Sequence, residues 1–326
     1  MNEIVVSISC LVYNHEKYLR RCLDGFVTQK TTFAYEILIH DDCSTDNSRQ
    51  IIEEYCTKYP DLFVPIFQKE NQFSKGIKIS FDIQYPRARG KYIALCEGDD
   101  FWDDPFKLQK QFDVLEKNQD CLFCCHSVKK INEEGNPLNS VIKPKTFLNG
   151  KIDGKTFLKN YFSGKEGYPF QTSSYFFKKD LALSMPDFKY DFRVGDIPMF
   201  LWAAHCGNLF FLDEPLSCYR VNVPGSTNAN SKKLSYYLKN NICGIIKGFS
   251  SFNTYTGGCY YSYMYHLLCY YCYQMILADK FFVPPINQRE ILKELTFKEK
   301  MKCKLKLSPI GNWLRFFIHK IRGSQE

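Results

Sequence analysis

The sequence predicts an α/β protein with a mostly parallel sheet flanked by helices. Short apolar segments rich in β-branched residues alternate along the N-terminal third with segments whose apolar residues recur at helical spacing. These strand segments repeatedly end in polar or acidic residues, as expected where parallel strands finish at the ligand-binding edge of a sheet. The composition changes after residue 222, which predicts a separate helical region.

The first two strands are predicted within the first 42 residues. Residues 4–12 form a nearly charge-free strand that breaks into a polar turn at 13–16, and apolar residues at helical spacing follow from 18 to 27. The second strand, 35–40, ends in Asp41 and Asp42. Asp46 is expected to cap the next helix, which runs through residues 49–58.

The third and fourth strands are predicted at 63–67 and 92–95, with a helix between them at 78–89. The fourth strand runs directly into residues 97–104, where acidic side chains stand on both sides of Trp102. Carboxylates at a strand end suit a hard divalent cation and a phosphorylated ligand. They equally suit the N-terminus of a helix beginning near Pro105, so both interpretations stay open at this point.

Four motifs follow one another along the chain: Val12-Tyr13-Asn14-His15, Asp41-Asp42-Cys43-Ser44-Thr45-Asp46, Ala88-Arg89-Gly90-Lys91-Tyr92-Ile93 and Glu97-Gly98-Asp99-Asp100. In this order they resemble the family 2 glycosyltransferases of GT-A fold, of the type found in bacterial polysaccharide biosynthesis. The similarity continues through shorter matches at 195–198, 207–209, 213–215 and 219–220, and covers roughly residues 4–222.

The resemblance implies a nucleotide-diphosphate sugar as donor, with UDP as the expected nucleotide. Asp99 and Asp100 are the expected ligands of Mg²⁺ or Mn²⁺, which offsets charge on the leaving diphosphate. Asp42 is expected to accept a hydrogen bond from the base, with Tyr13 stacked on the ring. Ordinary turn chemistry is the alternative for Asp42. Glu97 stands where the family usually has Asp, so whether it contacts the ribose, the metal or neither stays open.

Two residues of the donor and acceptor sites are assigned with a structural alternative beside each. Lys75 is a candidate for the diphosphate, although the sequence favours a solvated lysine on a helix surface. Trp102 is a candidate platform for an acceptor sugar, and a core tryptophan is the alternative.

The resemblance also implies an inverting reaction, which needs a base for the acceptor hydroxyl. The family's base corresponds to Asp196, at the start of a predicted helix. Asp196 would also suit an N-cap, and the same residue can serve both purposes. The acceptor is expected to be a carbohydrate or lipid-linked glycan.

Other functional classes lack their signatures. No G-x-G-x-x-G or P-loop follows the first strand, which argues against a dinucleotide-binding dehydrogenase and a P-loop enzyme. A sugar nucleotidyltransferase would need a basic, glycine-rich loop where Tyr13 and its neighbours stand. A non-catalytic protein that binds nucleotide sugars or carbohydrate on the same scaffold would be expected to lack a base at position 196.

The domain prediction is a catalytic domain over 1–225, with a nucleotide-binding half over about 1–125 and an acceptor half over about 126–225, and a helical region over 226–326. Fifteen cysteines fall largely within predicted strands and helices, so reduced thiols and a cytoplasmic protein are expected. A zinc site from Cys121, Cys124, Cys125, Cys269 and Cys272 is the alternative to buried small hydrophobes.

The C-terminal tail is basic, with nine Lys or Arg against three Glu from Lys293 onward. Trp313, Phe316 and Phe317 lie among these charges, which favours peripheral contact with the inner face of a cytoplasmic membrane over nucleic acid. A solvated helix that packs its aromatic residues on the protein is the alternative.

Overall fold

The computed structural model describes residues 3–223 and 242–278. Within them the protein forms two compact units, 3–190 with 194–223 and 191–193 with 242–278. The predicted domain boundary near residue 225 and the basic tail lie outside the described residues.

The larger unit is built on one sheet of ten strands in the order β3-β2-β1-β4-β9-β6-β10-β5, with β7 paired to β6 and β8 to β10. β1 to β4 are mutually parallel, and β9 is antiparallel to both of its neighbours, β4 and β6. The strands are Ile4–Val12, Ala34–Asp41, Phe63–Phe67, Tyr92–Leu95, Phe101–Trp102, Cys121–Ile131, Pro137–Ile142, Gly150–Ile152, Phe176–Lys178 and Asn208–Arg220, numbered β1 to β10. The predicted α/β class and the first four strands are confirmed.

Helices pack against this sheet over a core of buried aliphatic, aromatic and thiol side chains. The helices of this unit are α1 Leu19–Val27, α2 Ser48–Lys58, α3 Tyr85–Arg87, α4 Lys107–Lys117, α5 Gly154–Phe162, α6 Lys179–Leu183 and α7 Asp196–Cys206.

Two helix predictions need correction. The helix α2 begins at Ser48 with Asn47 in the cap position, although the carboxylate of Asp46 does accept from the Ser48 N–H at 2.9 Å. The helix predicted over 78–89 is a π-helical turn, Ser80–Gln84, followed by the short α3. Pro86 explains the break, because it lacks the backbone N–H that an α-helical ladder through this segment requires.

The motif around Gly90 serves the fold. A Cβ atom at Gly90 would lie 2.6 Å from the backbone nitrogen of Ser7, so only glycine allows this approach to β1. Buried Glu36 accepts from the Ser7 hydroxyl at 2.6 Å and from Arg89 Nε at 2.7 Å. The Gly90 N–H in turn donates to the Ser7 hydroxyl at 2.9 Å. This hydrogen-bond network holds the start of β4 against β1 and β2. The carboxyl ends of these three strands therefore lie at the same edge of the sheet.

The smaller unit contains two helices, α8 Cys243–Tyr255 and α9 Tyr261–Ala278. They are separated by Gly257 and Gly258, whose φ angles of 65° and 79° suit glycine and end α8. Met264 and Cys269 are fully buried in α9. None of the described helices is long and apolar enough to cross a membrane.

Candidate active site

The loops that follow β1 and β2 are bonded to each other at the carboxyl edge of the sheet. Asn14 adopts a left-handed φ of 57°, and its side-chain oxygen accepts from the Thr45 N–H at 2.7 Å. The His15 N–H donates to the Ser48 hydroxyl at 2.8 Å. This framework leaves Tyr13 with 46 % of its surface exposed at the point where strand order reverses between β1 and β4.

Asp42 is buried directly after β2, and its carboxylate binds the backbone of residues 72 and 73. Its two carboxylate oxygens accept from the backbone N–H groups of Gln72 and Phe73 at 2.7 and 3.0 Å. A carboxylate oxygen has two lone pairs, so each oxygen retains one for a ligand N–H. The turn chemistry weighed for Asp42 is therefore present, and it is compatible with the expected contact to a nucleotide base.

Lys75 ends the short 3₁₀ turn Phe73–Lys75 that Asp42 caps. Its ammonium group forms an ion pair with Glu70. The assignment of Lys75 to the diphosphate remains a prediction.

The acidic segment after β4 divides into two groups with different partners. Asp103 pairs with Lys129 at 2.6 Å, and Asp104 accepts from the Phe106 N–H at 2.7 Å at the entry to α4. These two residues fit the helix-capping and surface interpretation. Glu97, Asp99 and Asp100 have no basic side chain paired with their carboxylates among the ion pairs of the described residues.

The backbone of this segment is held tightly beneath β1. The Gly98 N–H donates to the Leu11 carbonyl at 3.0 Å. A Cβ atom at Gly98 would lie 2.8 Å from the ring of His15, so a side chain at this position would push the loop outward. Glycine therefore fixes the carboxylates on either side of it at the sheet edge.

Crowding of negative charge shapes the electrostatics here. Solvent reaches the side chain of Glu97, but the surrounding protein displaces much of its hydration shell, and together with the charges of Asp99 and Asp196 this raises its pKa to about 8. Burial, followed by the charge of Asp99, raises the pKa of Asp100 as well. Since the charge of Asp196 also acts on Glu97, the start of α7 lies within electrostatic range of the segment after β4.

Arg220 supports the acidic segment, a role that the sequence motifs did not predict. Its backbone N–H donates to Asp100 at 2.8 Å, and its Nε donates to the Asp99 carbonyl at 3.0 Å. The guanidinium also lies 4.5 Å from the ring centroid of Tyr18 and donates to the Glu133 carbonyl at 2.6 Å. The last residue of β10 thus ties the acidic segment to the loop between β6 and β7.

Asp196 is the first residue of α7, with Gly195 in the cap position. Its Oδ1 accepts from the Ile197 N–H at 2.8 Å, and its Oδ2 accepts from the hydroxyl of Tyr168. Burial raises the pKa of Asp196, and the hydrogen bond from Tyr168 opposes that rise. A carboxylate with a raised pKa at a sheet edge suits a general base.

The acceptor platform predicted at Trp102 is a core residue instead. Its side chain is buried, and its indole N–H donates to the Ser173 carbonyl at 3.1 Å. Lys107 Nζ lies 3.9 Å from the ring centroid, and the ring of Phe26 packs edge-on at 4.7 Å. β5 pairs with β10 at this point, so the sheet itself covers the tryptophan.

The donor set fits a divalent cation that also binds phosphate. Carboxylate oxygens are the ligands that Mg²⁺ and Mn²⁺ prefer, and Asp99 and Asp100 lie side by side in excess negative charge. No three His, Cys, Asp or Glu side chains are arranged to hold a metal ion within 3–223 and 242–278. A cation here would therefore need phosphate oxygens to complete its shell, as is usual for Mg²⁺ in nucleotide sites. The zinc alternative gains no support from the described residues, since none of the five buried cysteines weighed for it belongs to a group arranged to hold a metal ion there.

The family assignment follows from the sequence as a whole. The family model described as glycosyl transferase family 2 matches residues 7–181. The chain belongs to this family. The resemblance drawn from the motifs at 12–15, 41–46, 88–93 and 97–100 is thereby confirmed.

Several proteins are similar to this family 2 chain. An uncharacterized protein of Mycobacterium tuberculosis, Rv1520, is 45% identical over 130 residues, which are 40% of this chain and 37% of that protein. The putative teichuronic acid biosynthesis glycosyltransferase TuaG of Bacillus subtilis is 28% identical over 138 residues, 42% of this chain and 52% of TuaG. The chain thus aligns with well under two thirds of the length of each of these two relatives.

Solved structures share the fold at low identity. The S. aureus TarS 1–349 structure in complex with UDP-GlcNAc has a TM-score of 0.55 at 13% identity, covering 93% of this chain and 88% of that one. The mannosyltransferase PcManGT from Pyrobaculum calidifontis, in complex with GDP-Man and Mn²⁺, has a TM-score of 0.53 at 13% identity, with 93% and 86% covered. These similarities agree with the GT-A-type α/β fold.

Proposed function

We propose that this protein is an inverting glycosyltransferase that moves a sugar from a nucleotide-diphosphate sugar to a hydroxyl of a carbohydrate or lipid-linked acceptor. The observation that carries the proposal is the meeting of two acidic groups at one edge of the sheet. The segment after β4 supplies Glu97, Asp99 and Asp100, and α7 supplies Asp196, which is close enough to raise the pKa of Glu97.

The donor end of the site is formed by Tyr13, Asp42 and the residues after β4. Exposed Tyr13 offers a ring face for the base, and Asp42 keeps lone pairs for a base N–H. Asp99 and Asp100 would hold Mg²⁺ or Mn²⁺, which supplies a Lewis acid for the leaving diphosphate. Glu97 borders this group on the side that faces Asp196.

Asp196 is proposed to take the proton from the acceptor hydroxyl as that oxygen attacks the anomeric carbon. Attack by that oxygen on the face opposite the leaving group inverts the anomeric configuration. Burial favours proton uptake by raising its pKa. The residues of the 126–225 half are proposed to contact the acceptor.

Hexosyl or N-acetylhexosaminyl transfer in polysaccharide or cell-envelope biosynthesis is the proposed setting. TuaG is named for teichuronic acid biosynthesis, and TarS has been solved with UDP-GlcNAc, which supports a UDP-sugar as donor. PcManGT was solved with Mn²⁺ and GDP-Man, which supports a divalent cation and makes GDP sugars the necessary comparison.

The donor and the base can be tested together. A panel of UDP and GDP sugars is first screened by thermal shift with and without Mn²⁺, since a ligand that binds only the folded state raises its stability. Asp196→Asn is then assayed with the selected donor. Turnover should fall by about two to four orders of magnitude while donor affinity changes little. Near-normal transfer by the variant, or an α-linked product from an α-linked donor, would overturn the inverting mechanism.

A further inference from the structure

The loop between α5 and the 3₁₀ turn Thr172–Ser174 is pinned at a single buried carboxylate. Glu166 is 1 % exposed and accepts from the backbone N–H groups of Lys145 and Thr146 at 2.8 and 2.9 Å. Gly164 and Gly167, at φ angles of 74° and 71°, flank this anchor. The loop is thus fixed at Glu166, and Tyr168 follows two residues later.

Tyr168 reaches Asp196 from this loop. Its hydroxyl donates to Asp196 Oδ2, while 45 % of the residue surface remains exposed. The Ile197 N–H already donates to the other carboxylate oxygen at 2.8 Å. Both oxygens of Asp196 therefore accept a hydrogen bond from the protein itself.

The Tyr168 hydroxyl makes the contact that a substrate hydroxyl would have to make. A general base must first accept a hydrogen bond from the O–H group whose proton it will remove. A phenol that donates to the same oxygen competes for it, and hydrogen bonds to a carboxylate are among the stronger ones in proteins. Tyr85 and Tyr175 are buried close to Asp196, but neither hydroxyl donates to its carboxylate among the hydrogen bonds of the described residues.

We propose that Tyr168 occupies the place of the acceptor hydroxyl on Asp196 and is displaced when an acceptor binds. This inference rests on the proposed function, in which Asp196 is the base. Tyr168 is then a positioning residue that prevents water from being activated by Asp196 while a donor is bound without an acceptor. The exposed ring gives an arriving acceptor a surface from which to displace it.

Two consequences distinguish displacement from a structural role. Loss of the hydroxyl should increase hydrolysis of the donor when no acceptor is present, because Oδ2 becomes available to water. It should also lower the KM for the acceptor, because the bound form no longer competes with Tyr168. A residue that merely supported the loop would give neither effect when its hydroxyl is removed.

The test is Tyr168→Phe, assayed with the donor chosen by the thermal-shift screen and with water as the acceptor. Hydrolysis should rise by about 10-fold, in line with the loss of one charge-assisted hydrogen bond. The acidic limb of the pH profile for hydrolysis should move to higher pH, because that hydrogen bond holds the pKa of Asp196 down. Unchanged or slower hydrolysis, with the acidic limb in place, would overturn the proposal.

Tyr190→Phe is the matched control. Tyr190 is 46 % exposed, and its hydroxyl donates to a different carboxylate, that of Asp82, at 2.8 Å. This variant should hydrolyse the donor at the wild-type rate. Asp196→Asn separates the two hypotheses. If Asp196→Asn transfers sugar normally, the assignment of Asp196 as the base is wrong. If Asp196→Asn is inactive but Tyr168→Phe hydrolyses the donor like the wild type, only the displacement of Tyr168 is contradicted.

Discussion

The backbone N–H of Arg220, at the end of β10, donates to the carboxylate of Asp100, after the end of β4, over 2.8 Å. The two residues are 120 positions apart in the chain. A backbone donor satisfies one oxygen of Asp100 without supplying a full positive charge. The carboxylate is thereby positioned, while burial and the negative charge of Asp99 still raise its pKa.

This relationship makes Asp100→Asn an informative substitution. The amide oxygen of Asn can still accept from the Arg220 N–H, so the fold should be retained, but the charge that would hold the cation is lost. We expect the Mn²⁺-dependent stabilisation by nucleotide to disappear. For a ligand present at 100 times its Kd, that stabilisation is about 2.7 kcal/mol. Thermal or urea unfolding with and without nucleotide and Mn²⁺ measures it.

Asp103→Asn is the control for that experiment. It makes the same chemical change three positions away, at a carboxylate paired with Lys129 at 2.6 Å. It should bind nucleotide and Mn²⁺ like the wild type. Wild-type Mn²⁺ dependence in Asp100→Asn would remove Asp100 from the cation site.

Lys107 should make stability depend on pH. It is fully buried beside Trp102, donates to Gln111 at 2.7 Å, and burial lowers its pKa to about 7. Between pH 7 and the unfolded pKa of about 10.4, the unfolded chain binds the extra proton, so stability rises with pH. Lys107 raises the free energy of unfolding by at most about 5 kcal/mol over this pH range.

Lys107→Met isolates that contribution. The free energy of unfolding of the wild type minus that of the variant should increase from pH 7 to pH 9 in urea titrations. Lys110→Met is the comparison, since the salt bridges of Lys110 to Asp104 and Glu214 raise its pKa and leave it charged in both states over this range. Parallel pH profiles for Lys107→Met and the wild type would mean that Lys107 keeps an ordinary pKa.

The basic tail gives a prediction from the sequence alone, because residues 293–326 lie outside the described residues. We expect the full chain to co-sediment with anionic vesicles and to resist salt in part, since each basic residue contributes about 1 kcal/mol and is screened, whereas aromatic insertion is not. When Trp313, Phe316 and Phe317 are replaced with Ala, only the salt-sensitive part of the vesicle binding should remain.

A chain that ends at Lys293 and neutral vesicles complete that experiment. The shortened chain should not sediment with anionic vesicles, and neither form should sediment with neutral ones. Equal binding by the two chains, or none by the full chain, would favour aromatic residues packed on the protein and a solvated charged face.

Local patterns were sufficient for the framework of the larger unit. β1 to β4 follow from β-branched runs that end in polar residues, and the donor-side acids follow from their place directly after β4. The wrong helix prediction over 78–89 also has a local cause. The apolar residues there recur at helical spacing, but Pro86 lacks the backbone N–H that a continuous α-helix needs. The choice of Asp99 and Asp100 as metal candidates needed the family resemblance as well, because their position after a strand left helix capping equally open.

The different contacts that neighbouring residues make could not be predicted from the local sequence. Asp103 differs from Asp100 because Lys129 reaches it from β6. Trp102 became a core residue because β5 pairs with β10, more than a hundred residues away. The signal that would have drawn attention to Tyr168 is weak in the sequence, which shows only a tyrosine between glycine and proline.

The sequence by itself determined the α/β framework, the family and the acidic residues available for chemistry, because strand periodicity and strand-end composition are properties of neighbouring residues. The tertiary structure decided which of those acids are paired, which remain crowded, and that Tyr168 bonds to Asp196. Those outcomes depend on burial and on partners from distant segments, and the pKa and hydrogen bonding of a carboxylate are fixed by these surroundings.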